Sequence, residues 1–201
     1  MNNETKEFTS GESLISGYEK IAKSLGFDFA SHKSQFIPFF LGKNFINSQW
    51  CSMRKDPISF WASDMYTSSP YFNSTYCGVY IDTGLNLEVS GELSKRFSLT
   101  DIFAKKTGDK FIDKNVTIKS DDPEKFRSLL DKESVLLFLD IWKRYQPVML
   151  VIKPGEACDN PQYQRSKNTI ISIQTNKWIE PEELPSFIED CMYCISLIIP
   201  I

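Results

Sequence analysis

The sequence predicts an α+β fold, in which an antiparallel meander sheet packs against an N-terminal helix, a central helix pair and a C-terminal helix. Helical periodicity near both ends, strand-like runs between residues 35 and 89, and a Leu-rich segment near residue 137 support this prediction. With 201 residues, of which 41% are hydrophobic and 24% charged, the chain has the size and composition of one globular domain. We expect a single domain over residues 1–201, with residues 1–8 as a flexible tail.

The first predicted helix runs from about Glu12 to Leu25. Thr9 and Glu12 have the spacing of a capping box, and Gly26 stands where helices often end on glycine. The apolar side chains recur every three or four residues and therefore share one face. They are Leu14, Ile15, Tyr18, Ile21, Ala22 and Leu25.

Between Gln35 and Val89 the helical periodicity is replaced by short apolar or aromatic runs. The predicted strands are Phe36–Leu41, Phe45–Met53, Ile58–Tyr66, Thr75–Ile81 and Leu85–Val89. The last of these alternates apolar and polar residues, as a half-buried strand does. Short polar turns containing proline or glycine separate several of the runs, which favours antiparallel pairing of consecutive strands.

The second half of the chain alternates helices and strands. A short helix is predicted over Ser98–Lys106, and Val116 and Ile118 mark a strand. Asp122-Pro123 has the residues of a helix start, and after Asp131 a further helix runs to about Tyr145. Its apolar residues are too broadly distributed for one buried face, so this helix is either central or partly turned toward a partner.

The last elements are two strands and a helix. Val148–Ile152 and Thr169–Ile173 are predicted to pair as a hairpin with a long polar loop. Pro181, Glu182 and Glu183 open the final helix. Its apolar stripe consists of Leu184, Phe187, Ile188, Cys191, Ile195 and Ile198.

The second half of the chain contains a series of turn and helix-end residues. They are Thr107-Gly108-Asp109, Phe111, Asp113, Val116, Asp122-Pro123 and Leu129-Leu130. This series resembles a group of uncharacterised bacterial α+β domains of unknown function, in which a Gly-Asp turn precedes a Val-rich strand and a Leu-Leu pair ends the next helix. Here Ile112 separates the Phe and Asp that are adjacent in the group. The resemblance implies an α+β fold and a bacterial source, and it implies no activity.

The net charge and the hydropathy of the chain argue against nucleic-acid binding and against membrane insertion. The net charge of −3 is opposite to the basic face that nucleic-acid binders present. The first residues lack a basic-then-apolar signal pattern, and no apolar run approaches the roughly 20 residues of a membrane span. We therefore expect a cytoplasmic protein without nucleic-acid binding or membrane insertion. The five cysteines, an odd number, agree with reduced thiols.

The residue types that carry catalysis are few. His32, the sole histidine, lies in a polar stretch and is expected in an exposed loop. Cys191 and Cys194 have CxxC spacing but fall inside a predicted helix, so we expect buried structural thiols. A zinc site would need further ligands, for which Cys51 and Cys77 are the candidates.

Four aspartates of the second half are close in sequence and could form a carboxylate site. They are Asp109, Asp113, Asp121 and Asp122. Turn and helix-cap positions account for each of them separately, and we predict that role. We therefore expect no catalytic residue, no cofactor and no metal ion.

Residues 57–80 are rich in aromatic side chains and contain no lysine or arginine. Aromatic residues and methionine are enriched at protein interfaces, although a core meander would have the same composition. The interface candidates are Trp61, Met65, Tyr66, Tyr71 and Phe72, with Ile195 and Ile198 of the final helix.

We predict a non-catalytic adaptor or chaperone-like subunit that binds another protein within a larger bacterial assembly. A secretion system is one candidate for that assembly. Two alternatives stay open at this point. One is an enzyme with a carboxylate or thiol site, and the other is an aromatic-lined protein that binds a small ligand.

Overall fold

One antiparallel sheet dominates the structure, a computed structural model that describes residues 11–34, 37–40, 43–67, 74–96 and 107–199. The described residues form nine strands, and every pairing among them is antiparallel. The strands are β1 Asp28–Ser34, β2 Ile37–Phe40, β3 Lys43–Lys55, β4 Ile58–Thr67, β5 Ser74–Asp82, β6 Gly91–Lys95, β7 Val116–Ser120, β8 Val148–Pro154 and β9 Thr169–Thr175. Their order is β1-β3-β4-β5-β9-β8-β6-β7, and β2 pairs with β3.

Five helices accompany the sheet in the described ranges. They are α1 Gly11–Leu25, α2 Lys110–Asn115, α3 Pro123–Ser128, α4 Lys132–Tyr145 and α5 Leu184–Ile198. The helices α1, α4 and α5 bury apolar side chains against one face of the sheet, and α2 and α3 pack beside β7. The predicted α+β class, with its N-terminal, central and C-terminal helices, is therefore confirmed. No helix in the described ranges is long and apolar enough to cross a bilayer.

The main core lies between the sheet and these helices. Cys51, Ala62 and Cys77 stand directly opposite one another across β3, β4 and β5, and all three are fully buried. Tyr18 of α1 contacts the Phe60 ring edge-on at a centroid distance of 5.3 Å. Burial of large side chains of this kind supplies most of the favourable free energy of folding.

The other face of the sheet is covered in the middle by the β8–β9 connection, residues 155–168. Tyr163 and Asn160 of this connection both donate hydrogen bonds to the Ser59 hydroxyl of β4, at 3.0 and 3.3 Å. Ser166 and Asn168 donate to the Asp82 carboxylate at the end of β5. The predicted hairpin with a long loop is confirmed, and the loop packs against the sheet.

The predicted helix boundaries rest on local hydrogen bonds that the structure shows. Gly26 has φ +70° just after α1, a backbone angle that glycine adopts without strain. Asp122 accepts from the Lys125 N–H at 3.0 Å and begins α3. Asp131 and Ser134 exchange hydrogen bonds in a capping box at the start of α4.

Two local predictions are wrong and two lie outside the described residues. Leu85–Val89 is not a strand, because its N–H groups bond to side chains instead of a neighbouring strand: Leu85 to the Thr83 hydroxyl and Leu87 to the Thr169 hydroxyl. His32 is exposed as expected, but it lies in β1 and not in a loop. The helix predicted over Ser98–Lys106 and the flexible tail predicted over residues 1–8 fall outside the described residues.

The Leu-rich helix α4 has one buried stripe and one exposed leucine. Val135, Phe138 and Ile141 are fully buried, whereas Leu136 is 48% exposed.

Replacing Phe138 with Ala should lower the free energy of unfolding by about 3–5 kcal/mol, because it opens a cavity in the core. Leu136→Ala, in the same helix, should change it by less than about 1 kcal/mol. Urea denaturation of both variants measures the difference, and equal losses would contradict this assignment of the core.

Candidate functional site

A groove of about 730 Å³ lies between α5 and the end of α1, beside the β3–β4 turn. One wall is formed by α5, the other by Leu25, Phe27 and the turn, and Ile58 and Ile81 lie between them. The side chains of Lys55, Pro57, Glu189 and Tyr193 are exposed along its edges, so the groove is open to solvent.

The wall provided by α5 is a second face of that helix. Its groove residues recur at intervals of three and four and therefore line up along the helix. They are Pro185, Ile188, Glu189, Met192, Tyr193 and Ser196. A different stripe of α5 faces the sheet and is buried, with Phe187, Cys191 and Ile195 at its centre. The helix thus carries apolar side chains beyond those that the core encloses.

The opposite wall is fixed by the end of α1. The Phe27 N–H donates to the Ala22 carbonyl at 2.9 Å, which holds Phe27 against the last turn of the helix. Lys55 Nζ donates to the Leu25 carbonyl at 3.3 Å and lies 5.8 Å from the centroid of the Phe27 ring. Such a lysine keeps its charge at the solvent while its stem covers apolar surface.

The groove has a positively charged side chain, Lys55, on one wall and a negatively charged one, Glu189, on the other. Asp56 is paired with Arg54 at 2.8 Å between Oδ1 and Nε. Within the described part of the chain, neither Lys55 nor Glu189 has an oppositely charged partner within 4 Å. One wall therefore presents an unpaired cation and the other an unpaired anion.

Tyr193 extends the apolar surface toward α4. Its ring is 53% exposed, and its hydroxyl donates to Glu133 Oε1 at 3.3 Å. Leu136, the exposed leucine of α4, lies one turn beyond Glu133 on the same side of that helix. The groove and the exposed side of α4 are thus adjacent.

The three predicted interface residues whose side chains the structure describes are buried in the core and do not line this groove. Trp61, Ile195 and Ile198 are 7%, 0% and 7% exposed, which corrects the expectation that they present a contact surface. Trp61 stacks on Trp50 at 4.9 Å beneath the β8–β9 connection, and the two isoleucines lie on the sheet-facing stripe of α5.

The side chains of the other four candidates lie outside the described part of the structure. Met65 and Tyr66 belong to β4, whose backbone alone is described at these positions. Tyr71 and Phe72 lie outside the described residues. A contact role for these four stays a prediction.

The sequence did not point to four groove residues that a partner could contact. They are Lys55, Glu189, Met192 and Tyr193. A signal was present on α5, where Glu189, Met192 and Tyr193 follow Pro185 at helical spacing. Lys55 had no comparable signal, because its place at the groove depends on how the β3–β4 turn meets α1.

The acidic residues of the second half act as caps and turns, as predicted. Asp109 accepts from the N–H groups of Phe111 and Ile112, and Arg127 pairs with it at 2.9 Å. The Arg127 hydrogen bond and these N–H donors lower the pKa of Asp109. Asp113 accepts from the Thr107 N–H and hydroxyl, and Asp121 from those of Ser90, whose hydrogen bonds lower the pKa of Asp121.

A buried carboxylate that the sequence reasoning did not single out lies in the middle of β4. Asp64 is 3% exposed and accepts from the Thr75 hydroxyl at 2.6 Å and from the Gln49 amide at 3.0 Å. These bonds link β3, β4 and β5 and compensate for the loss of hydration. They give Asp64 a structural role.

The five thiols are buried, as predicted for Cys191 and Cys194. Desolvation raises the pKa of Cys158 to about 11 and that of Cys77 and Cys194 to about 12, and it raises those of Cys51 and Cys191 as well. Among the described residues, no group of three or more His, Cys, Asp or Glu side chains could hold a metal ion.

Thiol reactivity should follow from this burial. Only the thiolate reacts, and a thiol with a pKa of about 11 is ionised to roughly 0.1% at pH 8. We expect no rapid reaction of the native protein with a disulfide reagent such as DTNB at pH 8. All five thiols should react at once in guanidinium chloride. A rapidly modified cysteine in the native protein would contradict the burial.

Comparison with protein-family models, curated proteins and solved structures finds no match to this chain. The open apolar groove beside α5 is the feature of the described structure that is best suited to binding.

Proposed function

We propose that this chain is a non-catalytic adaptor that binds another protein, and that the groove beside α5 holds an apolar segment of that partner. The observation that carries the proposal is the exposed second face of α5. Its Met192 and Tyr193 line the open groove together with Leu25 and Phe27. Contiguous exposed apolar surface bounded by polar residues is typical of interaction sites.

The side chains of the groove are those that protein interfaces favour. Tyrosine and methionine are enriched there, and tyrosine is frequent among the residues that carry most of the binding energy. Methionine adapts its shape to a partner because its side chain is unbranched and polarizable. Tyr193, at 53% exposure, can lose most of its remaining contact with water when a partner binds.

A non-catalytic role is supported by what the reactive groups already do. The thiols are buried with raised pKa values, and Asp109, Asp113, Asp121 and Asp122 cap helices or close turns. Each of these groups is thus engaged in the fold.

The cellular location and the assembly that the chain belongs to are part of the same proposal. A cytoplasmic location agrees with five free cysteines, because thiols stay reduced in that compartment. A chaperone-like subunit of a larger bacterial assembly, with a secretion system as one candidate, is proposed from the size and acidity of the chain. The resemblance of its second half to bacterial domains adds the bacterial source.

A small apolar ligand is the second candidate occupant. The groove volume of about 730 Å³ falls in the range of roughly 300–1,000 Å³ that small-molecule sites have. Native mass spectrometry of the purified chain separates the two candidates. A bound mass of a few hundred daltons would favour the small ligand, and a bound protein would favour the adaptor.

Truncation of Tyr193 should release the partner. We expect Tyr193→Ser to weaken capture of a stoichiometric partner from lysate of the source organism about 5- to 30-fold, as for interface residues worth 1–2 kcal/mol. Quantitative mass spectrometry of the captured proteins measures the loss. Met192→Lys, which puts a charge into the apolar groove, should have the same effect.

Tyr76→Ser is the matched control, because Tyr76 is also an exposed tyrosine, at 40%, but lies on β5 outside the groove. This variant should retain the partner. Urea denaturation checks that all three variants keep the stability of the natural chain. Retention of the partner by both Tyr193→Ser and Met192→Lys would refute the proposed role of the groove.

A further inference from the structure

We infer that the segment bound in the groove is an amphipathic α-helix of about three turns, with an acidic side chain on one flank of its apolar stripe and a basic one on the other. This inference rests on the proposed function and specifies the chemistry of the partner. The length of the groove, its lack of backbone pairing groups and its two opposed charges support it.

The length of the groove suits three helical turns. Along α5 the lining runs from Pro185 to Ser196, which at 1.5 Å per residue is about 17 Å. A helix of this length laid beside α5 places side chains at i, i+3 or i+4, and i+7 into the gap. Ile58, Met192 and Tyr193 supply exposed apolar surface that they would meet, above the buried Ile81 and Ile188.

The backbone groups of the walls are already hydrogen-bonded. The backbone groups of α5 bond within the helix. The Leu25 carbonyl accepts from Lys55 Nζ. Ile58 lies in β4, which is paired with β3 on one side and β5 on the other. An extended segment that binds by strand addition needs a free strand edge, which these walls do not offer. A helix satisfies its own backbone groups and needs only side-chain contacts.

The two opposed charges select the flanks of the helix. Lys55 on one wall attracts an acidic side chain, and Glu189 on the other attracts a basic one, while Asp56 is engaged by Arg54. Turning a helix end for end exchanges its flanks, so the opposed charges also fix the direction in which the helix lies. Charge complementarity of this kind gives specificity more than affinity.

The test uses three synthetic peptide helices that share one leucine stripe and differ only in their flanks. The mixed peptide has Glu on one flank and Lys on the other, and the other two have Glu on both or Lys on both. Fluorescence anisotropy measures their binding to the natural chain, to Lys55→Glu and to Glu189→Lys. The natural chain should prefer the mixed peptide about three- to tenfold, as expected for two exposed ion pairs.

The variants should move this preference in opposite directions. Lys55→Glu makes both walls acidic and should bind the Lys/Lys peptide best. Glu189→Lys makes both walls basic and should bind the Glu/Glu peptide best. Because each variant also changes the net charge, Lys110→Glu and Glu124→Lys serve as matched controls. Both residues are exposed on α2 and α3, which pack beside β7 and away from the groove, and these variants should keep the natural preference.

An unchanged ranking in the two groove variants, or the absence of binding by all three peptides, would overturn the inference. If this happens while Tyr193→Ser still releases its partner, the helical segment is wrong and the proposed function stands. If Tyr193→Ser and Met192→Lys both keep the partner, it is the proposed function that fails.

Discussion

The structure depends on the position of β9 between β5 and β8. All seven of its residues, Thr169–Thr175, are buried, and it is the strand through which the two halves of the sheet hydrogen-bond. On one side stands the N-terminal meander of β3, β4 and β5, and on the other the group of β8, β6 and β7. A strand buried on both faces requires a cover on each of them, because its apolar side chains, Ile170 on one face and Ile171 and Ile173 on the other, must be removed from water.

The two covers are made by the chain on either side of β9. The connection before it lies over one face, where Tyr163 and Asn160 bond to Ser59. The helix α5 after it packs on the other face, against β5 and β9, and joins α4 through the Tyr145 and Phe187 rings at 4.9 Å. Since α1 packs against β1 and β3 on the same side, the space between α1 and α5 opens above Ile58 and Ile81. The groove is thus a result of how the two helices are spaced on the sheet.

Features that depend on neighbours in sequence could be predicted, and those that depend on distant residues could not. Gly26, Asp122 and Asp131 mark helix ends by hydrogen bonds within a few residues, so their role is visible in the sequence. The strand predicted over Leu85–Val89 has the right alternation, but Thr169, more than 80 residues away, takes its Leu87 N–H. Local pattern is overridden there by a tertiary hydrogen bond.

The groove was hidden from sequence reasoning for the same reason. Its lining comes from three separate segments, near residues 25–27, 55–58 and 185–196, and Ile81 adds a fourth. The aromatic run of residues 57–80, which was predicted as an interface, contributes Phe60 and Trp61 to the two cores on opposite faces of the sheet. Composition alone could not separate buried aromatic residues from exposed ones, because burial depends on the fold.

The apolar content of α5 supports the proposed binding role of the groove. The sheet-facing stripe, with Phe187, Cys191 and Ile195 fully buried, is sufficient to anchor the helix. Met192 and Tyr193 add apolar area on another side, where contact with water costs about 25 cal/mol for each Å². Folding alone does not remove this apolar area from water, since Tyr193 stays 53% exposed. A partner that covers the groove would do so, and Lys55 and Glu189 would then decide which partner fits.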